Sequence, residues 1–471
     1  MTTTVDHGVA VHASVADRIE VGRSVRHRVP RASLASWEPE ADRVDPVDVL
    51  ERQAATREPS LVPLRYGRML ASPFAFFRGG AQLMAADLAT VASTGLTVQL
   101  CGDAHLANFG AYAAPDRRLV FSLNDFDETL PGPFEWDVAR LAASFEIAGR
   151  HRNVSLPRRS KIVAAAVRSY RQAMGDFADM ANLELWYQRL DVDQIGDRFG
   201  GDATAAERKR FAQAIRKARS RNSLRAMAKL TEVVDGDVRF RSDPPTLVPI
   251  HELVPPDEVA AIPDRVGEII ASYRSTLSPD RQRLLDRYRY VHLARKVVGV
   301  GSVGTRAWVL LLVGRDETDP LLLQFKEAQT SVMEPFLAPS EYATGGERIV
   351  EGQRLLQAAS DIFLGWHRGV GLDGVERDFF VRQLWDAKGS ADLETIDASS
   401  LKIYAAVCGW TLALAHARSG DAVPIAGYLG ASDRFDRCLV EFAGRYADQN
   451  ERDHQALRRA VEDSRVVAVD G

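Results

Sequence analysis

Cys101-Gly102-Asp103-Ala104-His105-Leu106-Ala107-Asn108, and then Leu119-Val120-Phe121-Ser122-Leu123-Asn124-Asp125-Phe126-Asp127-Glu128, are the stretches whose reading decides the fold. The residues before the first, Thr94-Gly95-Leu96-Thr97-Val98-Gln99-Leu100, read as a turn and a short strand that delivers Asp103 into a loop. Asp103 and Asn108 stand five positions apart in that loop, so a carboxylate and a carboxamide can face one site. The second stretch reads as a strand ending in a carboxylate cluster, with the loop around Ala113 and Pro115 as the hairpin connection between the two strands.

These residue types suit phosphoryl transfer, in which a protein mainly positions groups and neutralises charge. The reaction needs a carboxylate at the acceptor hydroxyl and oxygen ligands for magnesium. Asp103 supplies the first. Asn108 and Asp125, with Asp127 beside them, supply the second. Arg78, beside Gly79 and Gly80 at the end of an aromatic run, can approach a phosphate or an acidic substrate group, and His105 is a further candidate for such a contact.

A second constellation follows nearly two hundred residues later. Gly299, Gly301 and Gly304 form G-x-G-x-x-G with Ser302 among them, and a dinucleotide-binding turn of that pattern must run from strand into helix. Here Thr305 to Gly314, TRAWVLLLVG, continues as a strand. Lys326 comes 22 residues after Gly304 on the next strand, LLLQFKEA. The helix expected over 341–359 offers Glu347 and Glu351 as ion-pair partners for it, and Glu351 is the better placed, mid-helix. FFVRQLW, with Gln383, reads as a further strand.

Gly102, Asp103, His105, Asn108, Asp125, Gly132, Pro133 and Asp137 together resemble the catalytic core of the aminoglycoside phosphotransferase and choline kinase branch of the protein-kinase-like superfamily. By that resemblance Asp103 is the catalytic base, Asn108 and Asp125 are metal ligands, and Asp137 is the structural aspartate of the following helix. Cys101 departs from the pattern, standing where that branch usually has histidine. The strand, glycine loop, strand and lysine resemble the kinase phosphate lid and phosphate-holding lysine, and the strand carrying Gln383 resembles the one leading to the adenine-binding hinge.

Kinases place the glycine loop before the catalytic loop, whereas Asp103 precedes Gly299. The resemblance therefore implies an α+β, bilobed, protein-kinase-like fold in circularly permuted order, with a large mainly helical lobe and a small antiparallel-sheet lobe. The expected division is an N-terminal extension over 1–60 and a catalytic lobe over 61–289, holding the catalytic loop 101–108 and the metal loop 124–128. A nucleotide-binding lobe over 290–390, with the glycine loop 299–304, and helices over 391–471 that return to the large lobe complete it. The implied activity is transfer of a phosphoryl group from ATP, with magnesium, to a hydroxyl acceptor. AMP transfer and nucleotide binding without catalysis are the alternatives. The whole chain also resembles an uncharacterised bacterial family, the domain of unknown function numbered 2252, through RYGRM, SPFAFFRGG, CGDAHLANFG, NDFDET, VGVGSVGT, QFKEA and CGWTLALAHARSGD.

Bulk composition narrows the partners. With 471 residues, 46% of them hydrophobic, the chain can bury a large core, and its net charge of -4 gives no global field for nucleic acid or anionic membranes. The basic helix ERKRFAQAIRKARSRNSLRAMAK reads as a solvated face, so nucleic acid is not an expected partner. Cys101, Cys408 and Cys438 share no metal-ligand spacing and suit a reducing cytoplasm. The N-terminus lacks a signal pattern, and no window reaches the roughly 18 apolar residues of a membrane span, so a cytoplasmic protein is expected.

Overall fold

The computed structural model describes residues 13–469 apart from 202, 221, 222, 298, 300, 302, 385–388 and 390. It is a mixed α+β fold, and every strand pair among the described residues is antiparallel. The two carboxylate loops are framed by β1 (Thr97–Leu100), β2 (Phe109–Ala113), β3 (Leu119–Leu123) and β4 (Leu130–Pro133). β1 pairs with β4, and β2 pairs with β3. The turn around Pro115 thus closes β2 onto β3, not the first strand onto the second as expected. The residues that follow the Asp103 loop are themselves extended, from Phe109, and take the place beside β3.

The lobe over 61–289, expected to be mainly helical, also holds β5 (Leu190–Asp191), the hairpin β6 (Thr231–Val234) and β7 (Asp237–Phe240), and β8 (Leu247–Pro249). Asp235 and Gly236 turn the hairpin with φ of 53° and 88°, the left-handed pair that a two-residue hairpin turn requires. β9 (Arg289–Lys296), β10 (Ala307–Val313), β11 (Pro320–Glu327), β12 (Gly365–Val370) and β13 (Glu376–Gln383) join β8 in a six-stranded sheet of order β12-β13-β11-β10-β9-β8. The helix Gly345–Leu356 connects β11 to β12, within the expected 341–359.

Both faces of this sheet are covered, which explains why β10 and β11 are apolar throughout. Leu310, Leu312, Leu321, Leu323 and Phe325 pack with Val266 and Tyr273 of the helix Ile262–Ser275. Val309, Leu311 and Leu322 pack with Ala226 and Leu230 of the helix Ser223–Leu230. The larger core is helical and centres on Phe134–His151, Leu156–Ala178 and Ala398–Ser419. Phe134–His151 is buried almost all round, so its charged side chains need partners. Glu135 accepts from the amide and hydroxyl of Thr94, both at 2.7 Å, and Glu146 accepts from Arg150 and Arg159, both at 2.9 Å.

Two expectations are corrected here. Ala398–Ser419 is long and apolar enough to cross a membrane, although 67% of its apolar window is buried inside the protein. The N-terminal extension, which reads from its sequence as having one helical stretch near Val47 to Ala55, has that helix as Pro46–Ala54 and a further one over Val15–Arg28. Val15–Arg28 starts on a capping box, with the Ser14 hydroxyl accepting from the Asp17 amide at 3.1 Å. Pro46–Ala54 packs Val47, Val49 and Leu50 with Leu457 and Ala460 of the helix Arg434–Glu462. Arg43 joins the same region by pairing with Asp87 at 2.6 Å and Asp453 at 2.8 Å.

Candidate functional site

The catalytic-loop candidate is shaped by what receives its backbone. The amides of Cys101 and Gly102 donate to the carboxylate of Asp137 at 2.6 and 3.0 Å. Asp137 is 1% exposed and also faces Nε2 of buried His416 at 3.2 Å, while the Tyr170 hydroxyl meets the other ring nitrogen at 2.9 Å. Gly102 has φ of 82°, and a Cβ there would lie 2.3 Å from the carbonyl oxygen of Glu128. Only glycine lets the two carboxylate loops touch backbone to backbone. Cys101, the departure from the kinase-like pattern, ties them further by donating its thiol to the Asp125 carbonyl at 3.1 Å.

Asp103 is held from behind. Arg140, 2% exposed, donates from Nε and Nη2 to Asp103 Oδ1, both at 2.7 Å, and from Nη2 to the Phe77 carbonyl at 2.8 Å. Oδ2 of Asp103 stands 3.6 Å from Nε2 of His105. Nδ1 of His105 accepts from the Ala107 amide at 3.2 Å, which places the ring proton on Nε2 and aims it at Asp103. Burial, helped by Arg78 and Arg140, holds His105 well below its ordinary pKa, so it is neutral. Burial raises the pKa of Asp103 against the pull of Arg140. Asn108 donates its side-chain amide to the Asp103 carbonyl at 2.8 Å, and its own carbonyl accepts from Asn124 at 3.0 Å, joining the loops once more.

In the metal-loop candidate, Asp127 is ion-paired with Lys326 on β11, and Asp125 Oδ1 lies 4.0 Å from the same ammonium. Lys326 is 2% exposed. The pKa of Asp127 is raised, by burial first and then by Asp125, with Lys326 opposing. Lys326 therefore meets the metal loop and not Glu351, which pairs instead with Arg354 at 2.6 Å one turn along its helix. The residue of that helix that reaches the site is Arg348, 1% exposed, whose guanidinium donates to the carbonyls of Thr129, Asp127 and Gln329 at 2.7, 2.8 and 2.8 Å.

A cavity of about 1340 Å³ opens in front of these groups. Asp103, Asn108, Asp125 and Asp127 line one side of it, and Gly299 and Gly301 line another. Arg78 and His105 also reach it, whereas Gly304, Lys326, Glu351 and Gln383 do not form its wall, Lys326 lying behind Asp127. Ser302 lies outside the described residues. Gln383 ends β13 opposite Leu323 and donates its amide to Asp361, so it is taken up by the end of the sheet and not by the cavity.

The glycine loop is clasped by the segment that begins at Arg57. The Arg57 guanidinium donates to the Val303 carbonyl at 2.6 Å, the Glu58 amide to the Gly304 carbonyl at 2.8 Å, and Arg68 to the Gly299 carbonyl at 2.7 Å. Val303, fully buried, packs with Leu61 and Leu64. Among the described residues, no three His, Cys, Asp or Glu side chains converge as a ready-made metal cluster.

Glu128, the last residue of the expected metal loop 124–128, also lines the cavity. Its Oε2 accepts from the Val332 amide at 2.7 Å, and burial pushes its carboxyl up from 4.5 to about 7. Between pH 4.5 and 7 the folded state keeps a proton that the unfolded state releases, so stability falls as pH rises through that window and levels off above it. Glu128→Gln should therefore gain about 1–3 kcal/mol over the wild type at pH 8, with the difference closing toward pH 5. Urea unfolding at several pH values measures this, and a pH-independent difference would contradict it.

An α+β protein with an acidic cleft backed by buried arginines and a lysine is what the geometry defines. The chain matches the family described as "Uncharacterized protein conserved in bacteria (DUF2252)" over residues 57–460, and it belongs to that family. No curated protein and no solved structure matches it.

Proposed function

We propose that this protein is an ATP- and magnesium-dependent phosphotransferase of kinase-like, bilobed build, with its lobes permuted in chain order, acting on a hydroxyl acceptor. The observation that carries the reading is the meeting of Asp103, Asn108 and Asp125 with Gly299 and Gly301 at one cavity, with Lys326 tied to the metal loop through Asp127. The topology supports it as well. A glycine-loop hairpin, a lysine strand, a helix and a strand returning beside the lysine strand follow in order, and the helical body supplies the carboxylates.

The donor set suits magnesium, which takes one or two protein carboxylates or amides and completes its shell with phosphate oxygens and water. Asn108 and Asp125 would hold it, and when bound it would neutralise charge on the phosphates. Asp103 would orient the acceptor hydroxyl and draw its proton through Oδ2, since Arg140 occupies Oδ1 and the raised pKa makes the carboxylate a better base. Lys326 would exchange its partner Asp127 for phosphate oxygens, a pairing that keeps a buried cation compensated before nucleotide arrives.

Calorimetric titration with magnesium and ATP tests the reading. The wild type is expected to bind, and Asp125→Ala and Lys326→Ala are each expected to weaken binding by roughly tenfold or more, about 1.4 kcal/mol. A folded wild type that binds no nucleotide would overturn the proposal, and released pyrophosphate in place of ADP would redirect it to AMP transfer.

A further inference from the structure

The buried arginines around the cavity are nearly all engaged. Arg140 holds Asp103, Arg348 holds three carbonyls, and Arg57 holds Val303. Arg78 differs. It ends the helix Pro73–Gly79, lines the cavity beside Asp103 and His105, and no described residue gives its guanidinium a hydrogen bond or an ion pair. Its Nε is fully buried without a partner. The glycine loop closes over its backbone, since a Cβ on Gly301 would lie 3.1 Å from the Arg78 carbonyl oxygen.

A largely buried cation with nothing to pair with is costly unless a ligand completes it. The side of the cavity on which it sits identifies that ligand. Arg78 feels Asp103 first and Asp125 second, while the charges that act on Arg57 are Glu128, Glu327 and Asp127. Arg78 thus belongs to the Asp103 side, away from Lys326 and its partner Asp127. The charge of Asp103 is already answered by Arg140, which leaves the Arg78 guanidinium to pair with an incoming anion, with Asp125 as the other carboxylate it feels. The cavity of about 1340 Å³ is also larger than the ~300–1,000 Å³ of a usual small-molecule site, leaving room for a second molecule beside a nucleotide.

We propose that Arg78 anchors an oxyanion subsite on the acceptor side of the cavity, so that the acceptor is a hydroxyl compound that itself carries a phosphate or carboxylate group. Naming that side the acceptor side rests on the transferase reading; the oxyanion site does not. A guanidinium suits either group, because its planar fork matches two oxygens at once.

The test is thermal melting and calorimetry without nucleotide, using orthophosphate, glycerol 3-phosphate and glycerate, with glycerol as the uncharged control. Orthophosphate and at least one hydroxy-anion are expected to stabilise the wild type, and glycerol is not. Arg78→Met should lose the response while melting no lower than the unliganded wild type, because it gives up no partner. Arg78→Lys, which keeps the charge, should weaken orthophosphate roughly tenfold by losing the fork. Lys326→Met should respond as the wild type does, which separates this subsite from a nucleotide phosphate site. An unresponsive wild type, an Arg78→Met or Arg78→Lys protein that binds orthophosphate as tightly as the wild type, or a response lost only in Lys326→Met would overturn the proposal. Failure of ATP to bind would leave these outcomes unchanged and would overturn only the transferase reading.

Discussion

Arg348→Met is expected to lower the free energy of unfolding by about 3–5 kcal/mol, since it strands buried carbonyls that each lose a charge-assisted donor. The guanidinium ties Asp127 of the second carboxylate loop and Thr129 just after it to Gln329 after β11, so one side chain fixes the sheet against the helical body. Methionine fills most of the volume but donates nothing. Urea unfolding should show a lower midpoint at unchanged slope. A loss below about 1 kcal/mol would mean that water replaces the arginine at the three carbonyls and that the clasp contributes little.

The second large effect is expected at Asp137. Replacement by alanine leaves the amides of Cys101 and Gly102 and the Nε2 of His416 without their acceptor at a position that is 1% exposed. A destabilisation of about 3–5 kcal/mol is expected. Amide exchange at 101–103 should accelerate more than exchange in the helix Ala398–Ser419, because the loop loses its anchor while the helix keeps its packing. Asp137→Asn should fare nearly as badly, since an amide NH₂ presented to these donors cannot accept. Equal acceleration in loop and helix would show that Asp137 serves the core alone.

The sequence made the two carboxylate loops and the lysine strand legible because each is a local pattern of alternation followed by turn residues. Asp103, Asn108, Asp125 and Asp127 do meet at one cavity, as their spacing suggested. What periodicity could not supply was pairing across distance. Lys326 finds Asp127, 199 residues away, and Arg348 finds Thr129, 219 away, so neither leaves a local trace. The expected Glu351 partner was chosen from its place mid-helix, yet Arg354 lies on the same face and captures it. Arg140 was hidden for another reason. It sits in a helix whose apolar residues dominate the pattern, and its importance appears only when Asp103 is found in front of it. The β6–β7 hairpin, by contrast, carried a readable signal in Asp235-Gly236, with Val233-Val234 before it and Val238 after it.

The clasp on the glycine loop has a consequence for the order in which the protein is made. Every acidic residue of the two carboxylate loops is synthesised before residue 130, and the glycine loop follows near residue 300. The segment from Arg57 that grips this loop is itself seated beside a region that Leu457 and Ala460 of the helix Arg434–Glu462 complete. A nascent chain therefore carries Asp103, Asp125, Asp127 and Glu128 long before it can seat the loop over the cavity.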